Sequence, residues 1–279
     1  MANPTPIKTR LAPTPSGYLH AGNAINFIIN TVVAKSRSGG RVLLRIDDID
    51  ADRKRPEYVE DIFRTLEWLG IEWDEGPSGP DDFEQNWSQW KRIDQYEAFL
   101  AVLRDKNMVF PCQKSRKDLL AFNGGYPESF KHQPIGLLDT DTAWRVDTPE
   151  DCPLPCFIVR RRDGKPAYHV ASICDDVYFS ITDIVRGEDL KDTSSIQQWL
   201  AQSAGYHTFQ QIAISHHPLL QDALGAKLSK SAGSGAIRDL GDFKAEKAKL
   251  FQQAAKWLGI SDTNVQNLTD LAAFYRSKV

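Results

Sequence analysis

Residues 7–70 run strand, helix, strand, helix, and that order leaves few folds open. Ile7–Ala12 is a short strand candidate closed by Pro13-Thr14-Pro15. From Leu19 to about Arg37, the apolar positions 24, 25, 28, 29, 32 and 33 share one helical face. Gly39-Gly40 stop that helix, and Arg41–Ile46 form a second strand. Pro56 opens the next helix, where its missing N–H costs least. Val59, Ile62, Phe63, Leu66 and Leu69 line one face of it, and Gly70 ends it. Strands alternating with helices predict an α/β fold: a parallel sheet with right-handed crossovers.

Further helices are expected near 91–106, 193–204, 243–257 and 265–275. Between the first two, residues 108–162 are rich in Pro, Gly and short apolar runs and read as an insertion. With 279 residues, 41% of them hydrophobic, the chain can bury a substantial core. No apolar run reaches the roughly 18 residues of a bilayer span. The N-terminus lacks a signal-peptide pattern, so a cytoplasmic protein without a membrane partner is expected. A net charge of −3 argues against a generic nucleic-acid coat but leaves room for a local basic patch. The four cysteines are too few for a disulfide scaffold. Cys152 and Cys156 form a C-x₃-C pair with no second pair to complete a zinc site, so they read as inert thiols.

Two segments carry chemistry. In the first, Arg10–Asn23, a strand turns through Pro13, Pro15 and Gly17 and starts a helix at about Leu19. A helix N-terminus offers free N–H groups to an anion. Gly17 and Gly22 allow close backbone approach, and His20 is placed to donate to a phosphate as charge builds on it. A plain capping histidine is the competing reading of His20. The second is Gly225-Ala-Lys-Leu-Ser-Lys-Ser231, in which Lys227 and Lys230 read as mobile point charges for a triphosphate or, competing with that, as a solvated basic loop. No Walker pattern is present, which excludes a P-loop nucleotidase.

Taken together, H-x-G-N at 20–23 and K-L-S-K-S at 227–231 resemble the two signatures of class I aminoacyl-tRNA synthetases. R-L-A-P-T-P-S-G at 10–17, L-R-I-D-D-I-D at 44–50, A-Y-H-V-A-S-I-C-D-D at 167–176 and I-T-D-I-V-R-G-E-D-L at 181–190 resemble the glutamyl branch. The resemblance covers residues 7–235 and implies a Rossmann-like catalytic domain. Residues 1–107 would be its first half, 108–165 an inserted acceptor-binding-like subdomain and 166–205 its second half. Residues 206–279 would hold the loop and a helical stem-contact-like region. Only 48 residues follow Ser231, a plan similar to the glutamyl-queuosine subgroup, which esterifies the queuosine base of the tRNA(Asp) anticodon. A minimal or fragmentary enzyme charging the 3′ end of tRNA(Glu), and a catalytically idle paralogue that binds RNA or protein, are the alternatives.

The resemblance implies L-glutamate, ATP with Mg²⁺ and a tRNA as partners of a monomeric ligase. His20, Gly22, Lys227 and Lys230 would act in catalysis. Pro15, Gly17, His20, Gly22, Asn23 and Lys230 would hold ATP. Arg10, Ala12, Thr14, Asp47, Tyr168, Ser172 and Arg186 would hold glutamate, with Arg186 on its side-chain carboxylate and Asp47 on its ammonium. Arg186 as a surface charge and Tyr168 as a core aromatic are the competing readings. Asp47 stands where the family usually has Glu, shortening the reach by ~1.5 Å. The family's insertion often binds zinc through C-x-C and Y-x₃-C. Here those stretches are Cys112-Gln-Lys114 and Tyr126–Phe130, so no structural zinc is expected.

Overall fold

The structure is a computed structural model that describes residues 6–122, 125–220, 235–239, 243–260, 265 and 267–278. Its main elements, in chain order, begin with β1 (Lys8–Leu11), α1 (Ala21–Lys35), β2 (Arg41–Leu44) and α2 (Pro56–Leu69). Next come α3 (Ile93–Asp105), β3 (Val109–Cys112), β4 (Ala143–Val146), β5 (Ile158–Arg160) and α4 (Tyr168–Tyr178). The last are β6 (Asp183–Gly187), α5 (Lys191–Ala204), β7 (Ala213–His217), α6 (Phe243–Trp257) and α7 (Leu268–Arg276). Each expected helix and strand of the first 70 residues forms, with ends one or two residues inside the expected bounds at most positions. Pro56 occupies the first turn of α2, and Gly70 caps it at φ 74°, a left-handed conformation that favours glycine. Helix α4 is an element that apolar periodicity does not reveal, since Ser172, Asp175 and Asp176 are among its buried residues.

The chain forms two compact units. The first comprises residues 1–91, 180–191 and 212–279, and the second 92–179 and 192–211. These breaks differ from the segment boundaries at 107, 165 and 205 read from the sequence.

In the first unit β1 pairs with β2 and β6 pairs with β7, both in parallel. Thr182 N–H donates to Lys8 O at 3.0 Å, setting the start of β6 beside β1. Helix α1 is buried almost all round: Ala24, Ile25, Phe27, Ile28, Ile29 and Val32 join the main core. Strands β1, β2 and β6 cover part of it, and α6 and α7 cover another part with Phe251, Ala254, Ala255 and Leu271. Truncating a fully enclosed side chain such as Ile28 should cost ~2–5 kcal/mol. A polar seam crosses this apolar packing. Asn26 and Asn30 side chains both donate to Val185 O, at 3.2 and 3.1 Å, and Thr9 Oγ1 donates to Asn30 O at 3.0 Å. Buried backbone acceptors demand such partners, so the seam fixes α1 against β6.

The second unit contains an antiparallel sheet, β3-β4-β5, within the inserted region. Helices α3 and α4 pack together there, and Arg92 just before α3 reaches Asp175 of α4. Its Nε and Nη2 donate to the two carboxylate oxygens at 2.7 and 3.1 Å, and Tyr96 OH adds a third bond at 2.7 Å. No described helix is long and apolar enough to cross a membrane.

Candidate active site

In the first unit, β1 ends at the proline turn that leads to α1, and His20 is the N-cap of that helix. Its Nδ1 accepts from Gly22 N–H at 3.1 Å, while His20 N–H donates to Asn23 Oδ1 at 3.0 Å. This is a capping box built from histidine and asparagine. The capping reading of His20 therefore holds. It also has a chemical consequence: with Nδ1 accepting, the neutral ring carries its proton on Nε2 and presents a donor there. Gly22 makes room for the folded-back ring, since a Cβ at that position would lie 3.1 Å from His20 Cε1 and Nδ1.

The turn is held from behind. Leu19 N–H donates to Asp61 Oδ2 of α2 at 2.9 Å, and burial pushes the Asp61 carboxyl above its usual range. From the front, Ala236 forms a bridge with His20, and Ile237 N–H donates to Leu19 O at 2.9 Å. The chain that follows residues 221–234 thus returns to the start of α1. Lys227 and Lys230 themselves lie outside the described residues. Pro15 is buried, Gly17 and Asn23 are half-buried, Ala12 is half-buried and Thr14 is exposed.

Charged residues sit inside this unit. Arg10, Arg45, Asp47 and Arg186 are 6, 3, 5 and 3% exposed. Arg186 is therefore no surface charge. It lies on β6 opposite His216 of β7, whose imidazole is held below the usual value by burial first and by the Arg186 charge second. Asp47 follows β2, its N–H donating to Pro13 O at 2.9 Å, which ties the L-R-I-D-D-I-D segment to the proline turn. Both its oxygens accept from Arg45, at 2.7 and 3.1 Å. Reading the sequence for charges at motif positions missed Arg45. Its spacing of two residues from Asp47, at a strand end, was the available signal. Asp48 is locked separately by Ser88 Oγ at 2.7 Å, Gln89 N–H at 2.8 Å and Lys54 Nζ at 3.1 Å.

Tyr168 and Ser172 belong to the second unit, on α4. Tyr168 is 41% exposed and so is not a core aromatic. Ser172 is buried, and its Oγ has no hydrogen-bond partner among the described residues. The same unit holds a cavity whose cations are partly ion-paired, Arg161 with Asp163 at 3.0 Å and Arg162 with Asp141 at 3.1 Å. The cavity, of about 410 Å³, is lined by Lys114, Arg145, Arg161 and Arg162, with Asp163 the one acidic residue on its wall.

A parallel α/β core with a histidine-capped helix, buried arginines and an inserted antiparallel sheet defines the class I synthetase catalytic fold. The chain matches the family described as tRNA synthetases class I (E and Q), catalytic domain, over residues 6–125 and 136–277, and it belongs to that family. It is 35% identical over 272 residues to the glutamyl-Q tRNA(Asp) synthetase of Nitratidesulfovibrio vulgaris, covering 84% of this chain and 81% of that one. It is 37% identical over 242 residues to the protein of the same name from Parasynechococcus marenigrum, with 83 and 77% covered. A glutamate tRNA ligase from Elizabethkingia meningosepticum, solved in complex with its amino acid, superposes with a TM-score of 0.76 at 20% identity. That match covers 97% of this chain but only 65% of the ligase. Family membership makes the protein a ligase of the aminoacyl-tRNA synthetase kind.

Proposed function

We propose that the protein activates L-glutamate with ATP and transfers it to the queuosine base of tRNA(Asp). The observation that carries the glutamate reading is the set of buried charges, Arg10, Arg186 and the Arg45-braced Asp47, within one unit beside the proline turn. Glutamate carboxylate attacks the α-phosphorus of ATP, giving glutamyl-adenylate and pyrophosphate. A hydroxyl of the nucleic acid then attacks the activated carbonyl and releases AMP. Neither step needs a protein nucleophile. The protein supplies position and charge.

In this reading His20 Nε2–H and Lys230 stabilise charge on the reacting phosphates, Lys227 assists, and Mg²⁺ arrives with ATP. The turn at Pro15, Gly17, Gly22 and Asn23 receives the nucleotide. The return of the chain to His20 through Ala236 supports the pairing of these two segments. Arg186 binds the side-chain carboxylate and Asp47 the ammonium. Arg10, Ala12 and Thr14 of the same unit complete the amino-acid site. Glutamine would turn its amide donors toward a donor-only guanidinium, a mismatch that can support discrimination of ~10⁴. The basic cavity of the second unit would take phosphodiester groups of the tRNA.

The names of the two relatives at 35 and 37% identity support tRNA(Asp) as the acceptor. A second reading, charging of tRNA(Glu), is favoured by the glutamate–tRNA ligase 2 of Granulibacter bethesdensis, 32% identical across 95% of this chain. One experiment separates them: glutamylation of tRNA(Asp) with and without queuosine, beside tRNA(Glu). The proposal expects product only with queuosine-bearing tRNA(Asp). Product on tRNA(Glu) alone would establish the second reading. In ATP–pyrophosphate exchange, Lys230→Ala should lose ~10²-fold or more, and Lys227→Ala less.

A further inference from the structure

The inserted region contains a cluster that the activation chemistry does not use. Cys112, 1% exposed at the end of β3, receives three donors on its sulfur. Tyr126 OH lies at 3.0 Å, Lys114 N–H at 3.3 Å and Arg145 Nε at 3.3 Å. The Lys114 ammonium sits over the Phe130 ring, 4.7 Å from its centre. The Phe130 ring meets the Tyr126 ring edge-on at 6.0 Å, and the Arg145 guanidinium covers the Tyr126 ring at 4.9 Å. Residues 112, 114, 126 and 130 therefore converge on one place, although 18 positions separate the first from the last.

In zinc-bearing members of the family, these are the positions that hold the metal. The donor set here does not fit zinc. An ammonium and a phenyl ring have no lone pair to give, which leaves a thiol and a phenol where a structural site needs four ligands. Among the described residues, no group of three or more His, Cys, Asp or Glu side chains could hold a metal ion. The positive charge is still present, in the form of the Lys114 ammonium and the Arg145 guanidinium.

We propose that this cluster is a metal-free clasp. The Cys112 sulfur, gripped by Tyr126, Arg145 and the Lys114 N–H, and the Lys114 ammonium, held on the Phe130 face, close the 112–130 loop that a metal closes in zinc-bearing relatives. Cys112 Sγ also reaches Lys114 O at 3.9 Å, and although burial pushes its thiol up, the three donors outweigh it and hold the thiol below its ordinary value.

Elemental analysis of the purified protein should find zinc far below one equivalent per chain, and its melting point should not move when EDTA or 1,10-phenanthroline is added. Lys114→Cys combined with Phe130→Cys should convert the converged positions into a zinc site. That variant should bind one equivalent in competition with a chromophoric chelator, and its melting point should fall when the metal is stripped. Stoichiometric, tightly held zinc in the unaltered protein would overturn the proposal, as would a folded double variant that leaves zinc unbound. Should the double variant not fold, Tyr126→Phe and Phe130→Leu carry the test. Each should lower the melting point by roughly 2–4 °C and speed proteolysis within 113–131. No change in either would also overturn it.

Discussion

Arg45 grips Asp47 in the first unit and Arg92 grips Asp175 in the second, each through Nε at 2.7 Å and Nη2 at 3.1 Å. The bonds match, but the surroundings do not. Arg45 and Asp47 are two residues apart, so their pairing braces one short stretch of chain beyond β2. Arg92 and Asp175 are 83 residues apart. That pairing joins the start of α3 to α4, and the Tyr96 hydroxyl and the Phe179 ring close around it. A contact between distant residues must offset more chain entropy than a local one, and it fixes tertiary structure when it forms. One bidentate motif thus serves as a bolt between helices in one unit and as a local brace for the motif carboxylate Asp47 in the other.

The sharpest way to break this contrast is Asp175→Ala, which strands the Arg92 guanidinium in a closed interior. It should cost ~3–5 kcal/mol in urea unfolding. A loss under ~1 kcal/mol would mean that the pair is no bolt. Arg92→Met with Asp175→Leu should recover most of that stability and keep pyrophosphate exchange. Arg45→Met with Asp47→Leu should be similarly tolerated by the fold but should abolish exchange. Equal effects of the two double variants on activity would erase the distinction.

Arg186→Gln should lower kcat/KM for glutamate by ~10²–10³-fold, the cost of removing one partner of a buried charged pair. It should also narrow the preference over glutamine. Asp47→Glu should shift the glutamate KM by less than ~10-fold, since the charge stays and one methylene of reach is added. The smallest effect concerns pH. Burial holds His217 below the usual value and, with Arg186, holds His216 there too. A depressed histidine contributes stability that is present above roughly pH 6.5 and is lost as pH falls toward the folded value. Melting points at pH 7, 6 and 5 should decline, and His217→Gln should flatten that decline.

The first unit was largely legible because its signals are local. Apolar periodicity located α1 and α2, Pro56 and Gly70 marked the ends of α2, and the motif residues Arg10, Asp47 and Arg186 are buried charges at or just beyond short strands. The missed features depend on contacts between distant residues. Nothing near Arg92 announces Asp175, and nothing near Cys112 announces Arg145, its donor from the neighbouring strand. Helix α4 escaped because its buried side includes Ser172, Asp175 and Asp176, which blur the apolar period. His20 shows the limit of motif reading in the other direction. The sequence offered capping and catalysis as rivals, whereas the capping bond selects the tautomer that proposed phosphate contact requires.

Helices α6 and α7 lie after residues 221–234 in the chain, yet they pack on α1 with Phe251, Ala254, Ala255 and Leu271 inside the main core. His217 stacks on Trp257 at 5.0 Å, adding a second connection across the same interval. A single proteolytic cut within 221–234 therefore severs the backbone without parting the two pieces. The nicked fragments should co-elute in size-exclusion chromatography and separate only in denaturant. Expressed as two polypeptides, they should reassemble by complementation. That interval is therefore a place to divide the chain into a split enzyme.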